Sequence, residues 1–494
     1  MLPMVGAAVG QGMLDWPLVS LLALVVLLHM LHGVAPARGA RRGFLFGLGC
    51  HGLGLMWLLP ALQITGGLSF PFDIMVWLLP VLLLAASSAL FGAGLAWLTP
   101  TPWLLPVTAP ALWVVIEWLW ADLFDWGWVR IGILWSGENG LILQNADWGG
   151  IHALSWLAIF LPAIGAAMVA PGLRTRPGVV VVGGLVVMGT VIAAVEYGSW
   201  RLEQAQVWLK DRAPLITIGL VQTHVPKEAQ NRPRREGEAD LVGRMRLMET
   251  LEERVDLVLW PERSLPDPVV EGRENPQLER LAQLSQAMET PLLLGLRHVL
   301  PGSGDNAPVS HQSLILLDPL PAAGGGYRKH RLLPFGDYDP LGANSPVPGP
   351  PPRPLQWAGP AMGPILGLEI VDEDQSRRLT LAGARWLVNA ADERPFGAGL
   401  AETTLALARI RAVENRLALA RVTDNGRSAV LDPWGRVVGA IPGGVSAALA
   451  TAVPAGPADA PFRRLGGGVW PWLCLLVLTL VGLAITNGTG SSFR

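Results

Sequence analysis

Seven apolar runs, each near the length that crosses a bilayer, constrain this chain more than any other feature, and six of them crowd into the first 200 residues. They lie near 15–35, 44–64, 73–98, 104–122, 151–172 and 178–198, with one more near 466–487. About 20 apolar residues cross a hydrocarbon core of ~30 Å. Inside it, a helix satisfies its own backbone groups without help from water. Core helices of a soluble protein are the plain alternative. With 51% hydrophobic and only 15% charged residues, however, the chain has too few polar faces to solvate so many of them. The 21 Trp against 3 Tyr also suit broad bilayer interfaces, where amphipathic rings settle.

Residues 1–14 lack a charged leading region and a clear cleavage site, so a removable signal peptide is not expected. The stretch fits a shortened extra span instead. A formal net charge of -2 argues against a nucleic-acid partner. Cys50 and Cys474 sit in separate apolar runs, which predicts neither a disulfide framework nor a metal site. No phosphate-binding glycine motif is present, since the run at 324–326 lacks a following Lys-Ser/Thr, and no cofactor is expected.

Positive charge in short loops marks the cytoplasmic side. Arg38, Arg41 and Arg42 fall between the first two spans, and Arg174 and Arg176 between the fifth and sixth. Both clusters predict the same orientation, with everything after residue 199 outside the cytoplasm. The loop at 123–150, with Asp125, Trp126, Trp128, Trp135 and Asp147, falls outside too. Arg463 and Arg464, before the last span, run against this rule.

From about 200 to 464 the composition changes, and most of the charge is found here. Leu215–Gln222, Asp256–Trp260, Pro291–Leu296 and Ser313–Leu317 read as buried strands bounded by turn residues. Helical periodicity marks Ala239–Val255, Pro276–Glu289 and Ala401–Ala420. This alternation predicts an α/β domain. The organisation expected is therefore a transmembrane domain over 1–199, a polar domain over 200–464 and a last span with a short tail over 465–494. Pro340–Pro360 is too rich in Pro and Gly for regular structure; a connection of that length is either a solvated loop or a lid.

Three polar segments follow buried strands directly, where α/β folds place reactive groups. Trp260-Pro261-Glu262 closes the second strand. The second segment is Tyr327–Tyr338, with Lys329 ahead of Pro334-Phe335-Gly336-Asp337, and the third is Gly363–Asp372, which contains Gly367-Leu368-Glu369 and is followed by Trp386–Ala391. Each has an ordinary explanation: a solvated strand-end charge, a basic surface turn, a buried partner for an arginine.

In this order and spacing the three resemble the Glu–Lys–Cys sites of the nitrilase superfamily. The flanking spans narrow the resemblance to the apolipoprotein N-acyltransferase family. RRGFLFGLGCHGLGLMWLLPAL (42–62), APALWVVIEWLWADLFDWGWVRIG (109–132), KHRLLPFGDYDP (329–340) and ARIRAVENRLALARVTDNGRSAVLDPWGRVV (408–438) are similar to that family's segments over nearly the whole chain. The resemblance implies an αββα sandwich facing the periplasm on an inner-membrane base. It also implies the family's reaction, in which a phospholipid acyl chain passes through a cysteine thioester to the N-terminal amine of a diacylglyceryl-cysteine lipoprotein. Phospholipid and bacterial lipoprotein are then the expected partners.

Residue by residue, the resemblance gives Glu262 the general-base position, Lys329 the oxyanion-holding position, and Asp337 and Glu369 two further acidic positions. Gly367 falls where the cysteine belongs, and Leu368 where the family has tyrosine. Asn231 falls where it has tryptophan, and 389–397 has drifted from the family's pattern. No Cys, Ser or Thr lies between Gly363 and Glu373, while Ser264 and Ser376 are nearby hydroxyls that need far stronger activation than a thiol. Three readings follow. One is a degenerate member that keeps the fold and binds lipid. The second is an enzyme using Glu262 and Lys329 without a covalent intermediate, and the third an active acyltransferase with another nucleophile.

Overall fold

A computed structural model describes residues 1–494 except 65–66, 125–126, 128, 138–139, 171–176, 211, 225–234, 252–253, 303–306, 319–324, 333–336, 338–345, 395 and 491–494. Asp125, Trp126, Trp128, Arg174, Arg176 and Asn231 therefore lie outside the described residues, as does the start of the Pro-rich stretch. Two compact units emerge. One comprises Met1–Leu59, Ser69–Leu202 and Arg464–Arg494; the other comprises Pro60–Leu68 and Glu203–Arg463.

The chain opens with helices α1 (Leu2–Asp15), α2 (Pro17–Leu31), α3 (Pro36–Gly54), α4 (Leu58–Ile64), α5 (Phe72–Leu98), α6 (Leu105–Phe124), α7 (Ala146–Met168) and α8 (Pro177–Lys210). A C-terminal helix covers Val469–Gly490. Among the described residues, 5 helical stretches are long and apolar enough to cross a membrane: Phe72–Leu98, Pro102–Ala121, Ile142–Met168, Val180–Lys210 and Val469–Asn487. Helix α2 is apolar but has only 15 residues.

The expected span at 44–64 needs correction. Helix α3 begins at Pro36, where a missing N–H costs nothing, and ends at Gly54; a turn at 55–57 separates it from short α4. Arg38, Arg41 and Arg42 consequently lie in the first turns of α3 rather than in an inter-span loop. Gly39, Gly43 and Gly47 line one face of α3 at intervals of four. They meet Gly92, Ser88 and Ala85 of α5 so closely that a Cβ at Gly43 would strike the Ser88 carbonyl. Small residues at this spacing let two helix backbones approach in an apolar medium. Asp147, at the start of α7, is fully buried; it forms an ion pair with Arg201 (Nε to Oδ2, 2.9 Å) and accepts from Tyr197 Oη at 2.8 Å, both on α8.

The second unit contains strands β1 (Ile216–Gln222), β2 (Leu257–Leu259), β3 (Val269–Val270), β4 (Leu292–Leu300), β5 (Val309–Leu317), β6 (Gly326–Arg328), β7 (Met362–Leu366), β8 (Trp386–Asp392), β9 (Leu419–Asp424), β10 (Ser428–Leu431), β11 (Val437–Ile441) and β12 (Ala447–Val453). Its helices are α9 (Arg235–Glu249), α10 (Pro276–Ala287), α11 (Glu373–Leu381) and α12 (Gly397–Asn415). One sheet runs β12-β1-β2-β4-β5-β6 with β3 beside β4, and the other runs β11-β10-β9-β8-β7. Successive side chains point to opposite faces of a strand, which explains the uninterrupted apolar runs. Ile218, Leu220, Leu257, Leu259 and Leu293 face the second sheet, in a core shared with Leu366, Trp386, Val388 and Val422. Val221, Val258, Trp260, Leu292 and Leu294 face the other way, onto Leu241 and Met248 of α9 and Leu281 of α10. With α11 and α12 against the second sheet, the layers are helix, sheet, sheet, helix: the expected αββα sandwich.

One helix boundary also moves. The periodic stretch expected to run to Ala420 stops at Asn415, because Arg416 takes the left-handed conformation (φ 49°), and Leu419 and Ala420 open β9. The described part of the Pro-rich stretch is tied down at Val347, whose N–H donates to Ser310 O (2.7 Å), and at Gly349, whose N–H donates to Lys329 O (2.7 Å).

Candidate active site

Three strand ends converge in the second unit. Beyond β2 the chain turns at Trp260-Pro261-Glu262, with Arg263 left-handed (φ 54°). Gly295 of β4 permits this turn: a Cβ there would lie 2.5 Å from Glu262 Cα and 2.8 Å from Pro261 O. Beyond β6, Lys329 is fixed through its own N–H, which donates to Gln312 O at 2.8 Å. Its ammonium donates to Glu262 Oε1 at 3.1 Å and to Asp337 Oδ1. All three side chains are buried.

Burial works against the Lys329 ammonium, but Asp337, Glu262 and Glu369 outweigh it and raise its pKa above the ordinary lysine range. Burial likewise raises Glu262, opposed by Lys329 and reinforced by Asp337. A carboxylate poised upward accepts a proton, and a charged lysine stabilises an oxyanion.

Beyond β7, the chain turns into a short 3₁₀ helix, Gly367–Val371. Gly367 has φ +56°, and a Cβ on it would collide with Glu262 Oε2 and lie 2.7 Å from Lys329 Nζ. Any side chain at 367 would thus project into the dyad. The Gly367 carbonyl is held by Asn389 Nδ2 (3.0 Å) on neighbouring β8.

Among the described residues no arginine side chain pairs with Glu369, which was one of the plain readings of its sequence position. It accepts from Tyr327 Oη (2.7 Å), from the N–H groups of His330 (2.9 Å), Arg331 (3.0 Å) and Leu366 (2.8 Å), and from Gln375 Nε2 (3.1 Å). It fastens the Lys329 segment to the Gly367 turn. Burial raises its pKa, with Lys329 and these donors opposing.

A pocket with ≈ 400 Å³ of empty space, its mouth included, opens beside Gly367; Glu262, Asp337, Asp392, Glu393 and Thr404 are on its walls. Sequence reasoning missed the buried network behind it. Arg421 of β9 donates to Asn389 Oδ1 and to Glu393, and at 2.8 Å to Thr404 Oγ1. The signal was an arginine inside an otherwise buried strand, Leu419–Asp424. Neither Ser264 nor Ser376 is among the lining residues. Their hydroxyls donate to backbone carbonyls, Pro261 O at 2.6 Å and Glu373 O at 2.9 Å.

Two families match consecutive parts of the chain: the apolipoprotein N-acyltransferase N-terminal domain over residues 5–164 and carbon-nitrogen hydrolase over residues 229–452. The apolipoprotein N-acyltransferase of Pseudomonas putida is 27% identical, over 96% of this chain and 93% of its own length. Along nearly its whole length the chain is similar to the apolipoprotein N-acyltransferases. Its relative of the same name from Azotobacter vinelandii is 28% identical over 94% of this chain and 90% of its own length, and that from Shewanella oneidensis is 26% identical over 88% and 85%. Among solved structures, a nitrilase-superfamily amidase from Nesterenkonia AN1 is 21% identical over 51% of this chain and 94% of that one, with a TM-score of 0.39. In the family's terms, the αββα unit is the carbon-nitrogen hydrolase part and the N-terminal helices are the membrane part.

Proposed function

We propose that this chain keeps the binding site of an apolipoprotein N-acyltransferase but cannot form the acyl-enzyme. It acts in the inner membrane as a multi-pass binding, scaffold or regulatory protein, with its αββα unit in the periplasm. The molecules it would engage are those of the family reaction, a phospholipid and a diacylglyceryl-cysteine lipoprotein. One observation carries this reading: Gly367 faces Glu262 and Lys329 at the position where a side chain would enter the dyad, and it has none. Without a thiol, transfer cannot be divided into two easier covalent steps. Expression in a strain depleted of its own N-acyltransferase is expected neither to restore growth nor to triacylate a model lipoprotein. Rescue would overturn the proposal and point to an unrecognised nucleophile.

The intact Lys329–Glu262 and Lys329–Asp337 pairs beside an open pocket favour one second reading, hydrolysis or aminolysis of a bound lipid without a covalent intermediate. Fatty acid release from phospholipid that is abolished in Glu262→Gln would support it. Equal background release by both proteins would exclude it.

A further inference from the structure

The helical unit contains a cavity of its own, with ≈ 620 Å³ of empty space counted to its mouth. Phe91, Trp113 and Trp120 contribute aromatic wall, the first two in edge-to-face contact at 5.0 Å. Its polar lining comprises Glu117 on α6, His51 on α3, and Ser87 and Ser88 on α5.

Glu117 has an evident structural duty. Its Oε1 accepts from Trp113 Nε1 (2.7 Å) and from the N–H of Ile131 (2.8 Å), fixing the turn after α6. A glutamine would perform that duty equally well, and the carboxylate's second oxygen is surplus to it. Oε2 is buried with no protein partner among the described residues. His51 is 9% exposed, and its Nδ1 also lacks a partner. His51 Nε2 lies 3.3 Å from Ser88 Oγ, whose hydroxyl also reaches Leu84 O at 3.2 Å; in the tautomer with the proton on Nε2, Nδ1 is a bare acceptor.

One cavity thus presents an unpartnered carboxylate oxygen and an unpartnered imidazole nitrogen beside Trp113 and Trp120. Unpaired buried acceptors are costly, and an ionisable residue in a membrane helix marks a site. Aromatic faces with a carboxylate select cations. We propose that this cavity binds a protonated amine carried on an apolar body, an alkylammonium, with the ammonium donating to Glu117 Oε2 and His51 Nδ1. The source is either a membrane lipid with an amine head group or a free long-chain amine. The proposal is independent of whether acyl transfer occurs at Gly367.

The test uses the full chain in a non-ionic detergent, with radiolabelled dodecylamine as probe and dodecanol as neutral competitor. Saturable binding is expected, resisted by dodecanol and weakened about ten-fold or more in Glu117→Gln, which keeps the bonds to Trp113 and Ile131. Displacement of the probe by phosphatidylethanolamine, but not by phosphatidylcholine, would assign the lipid source. Binding that neither lipid displaces would assign the free amine. Absence of saturable binding, equal competition by dodecanol, or unchanged affinity in a folded Glu117→Gln protein would each overturn the proposal.

Discussion

Glycine at position 367 does two things that no other residue would do there. It accepts a left-handed backbone at no steric cost, and it leaves Glu262 and Lys329 free to close on each other. A Cβ at φ +56° carries a penalty of about 1–2 kcal/mol and would drive both head groups back. Gly367→Ala is therefore expected to lower the thermal midpoint by several degrees, at about 2–4 °C per kcal/mol. Arg421 is the more fragile residue. Arg421→Met would bury the Glu393 carboxylate unpaired, a loss of about 3–5 kcal/mol that the double change with Glu393→Gln should largely restore, as denaturant midpoints would report. Asp424 sets a pH dependence. Burial, opposed by Arg244 and Arg394, lifts its carboxyl to about 6. That is above its unfolded value of about 3.9, so its stabilisation is complete below about pH 4 and is lost as pH rises through 6. The thermal midpoint should fall across that window, and Asp424→Asn should flatten the fall.

At the scale of elements, β1, β2, β4 and β5 were legible because both faces of each are buried, leaving apolar runs with no helical rhythm to confuse them. The break between α3 and α4 was not, since hydropathy averages over Leu55–Trp57 and hides a turn made of apolar residues. Nor was the start of β9, because Leu417-Ala418-Leu419-Ala420 fits a helix as well as a strand until Arg416 takes its left-handed φ. Glu262, Lys329 and Gly367 were readable from their places after strands. The partners of Glu369 are mostly backbone amides, which no side-chain pattern encodes. The α3–α5 contact offers a direct check. Gly43→Val would drive a side chain into the Ser88 carbonyl, and a loss of about 1–3 kcal/mol is expected as a lower midpoint in detergent. Gly52→Val, with nothing within 4 Å of its Cβ, should be close to neutral.

For the whole molecule, the proposed orientation puts the αββα unit outside the cytoplasm. Glu271, whose side chain is 59% exposed on the αββα unit, supplies a probe. Glu271→Cys should react with a membrane-impermeant maleimide in cells with a permeabilised outer membrane, whereas Cys50 and Cys474 are buried. Labelling only after the inner membrane is breached would reverse the orientation. The proposed function has fold and reaction part at Gly367, and the measurement that reaches this most directly is acyl-enzyme formation. Purified protein incubated with phospholipid bearing a radiolabelled acyl chain is predicted to acquire no hydroxylamine-sensitive label. A stoichiometric label released by hydroxylamine would show that the chain forms an acyl-enzyme despite Gly367.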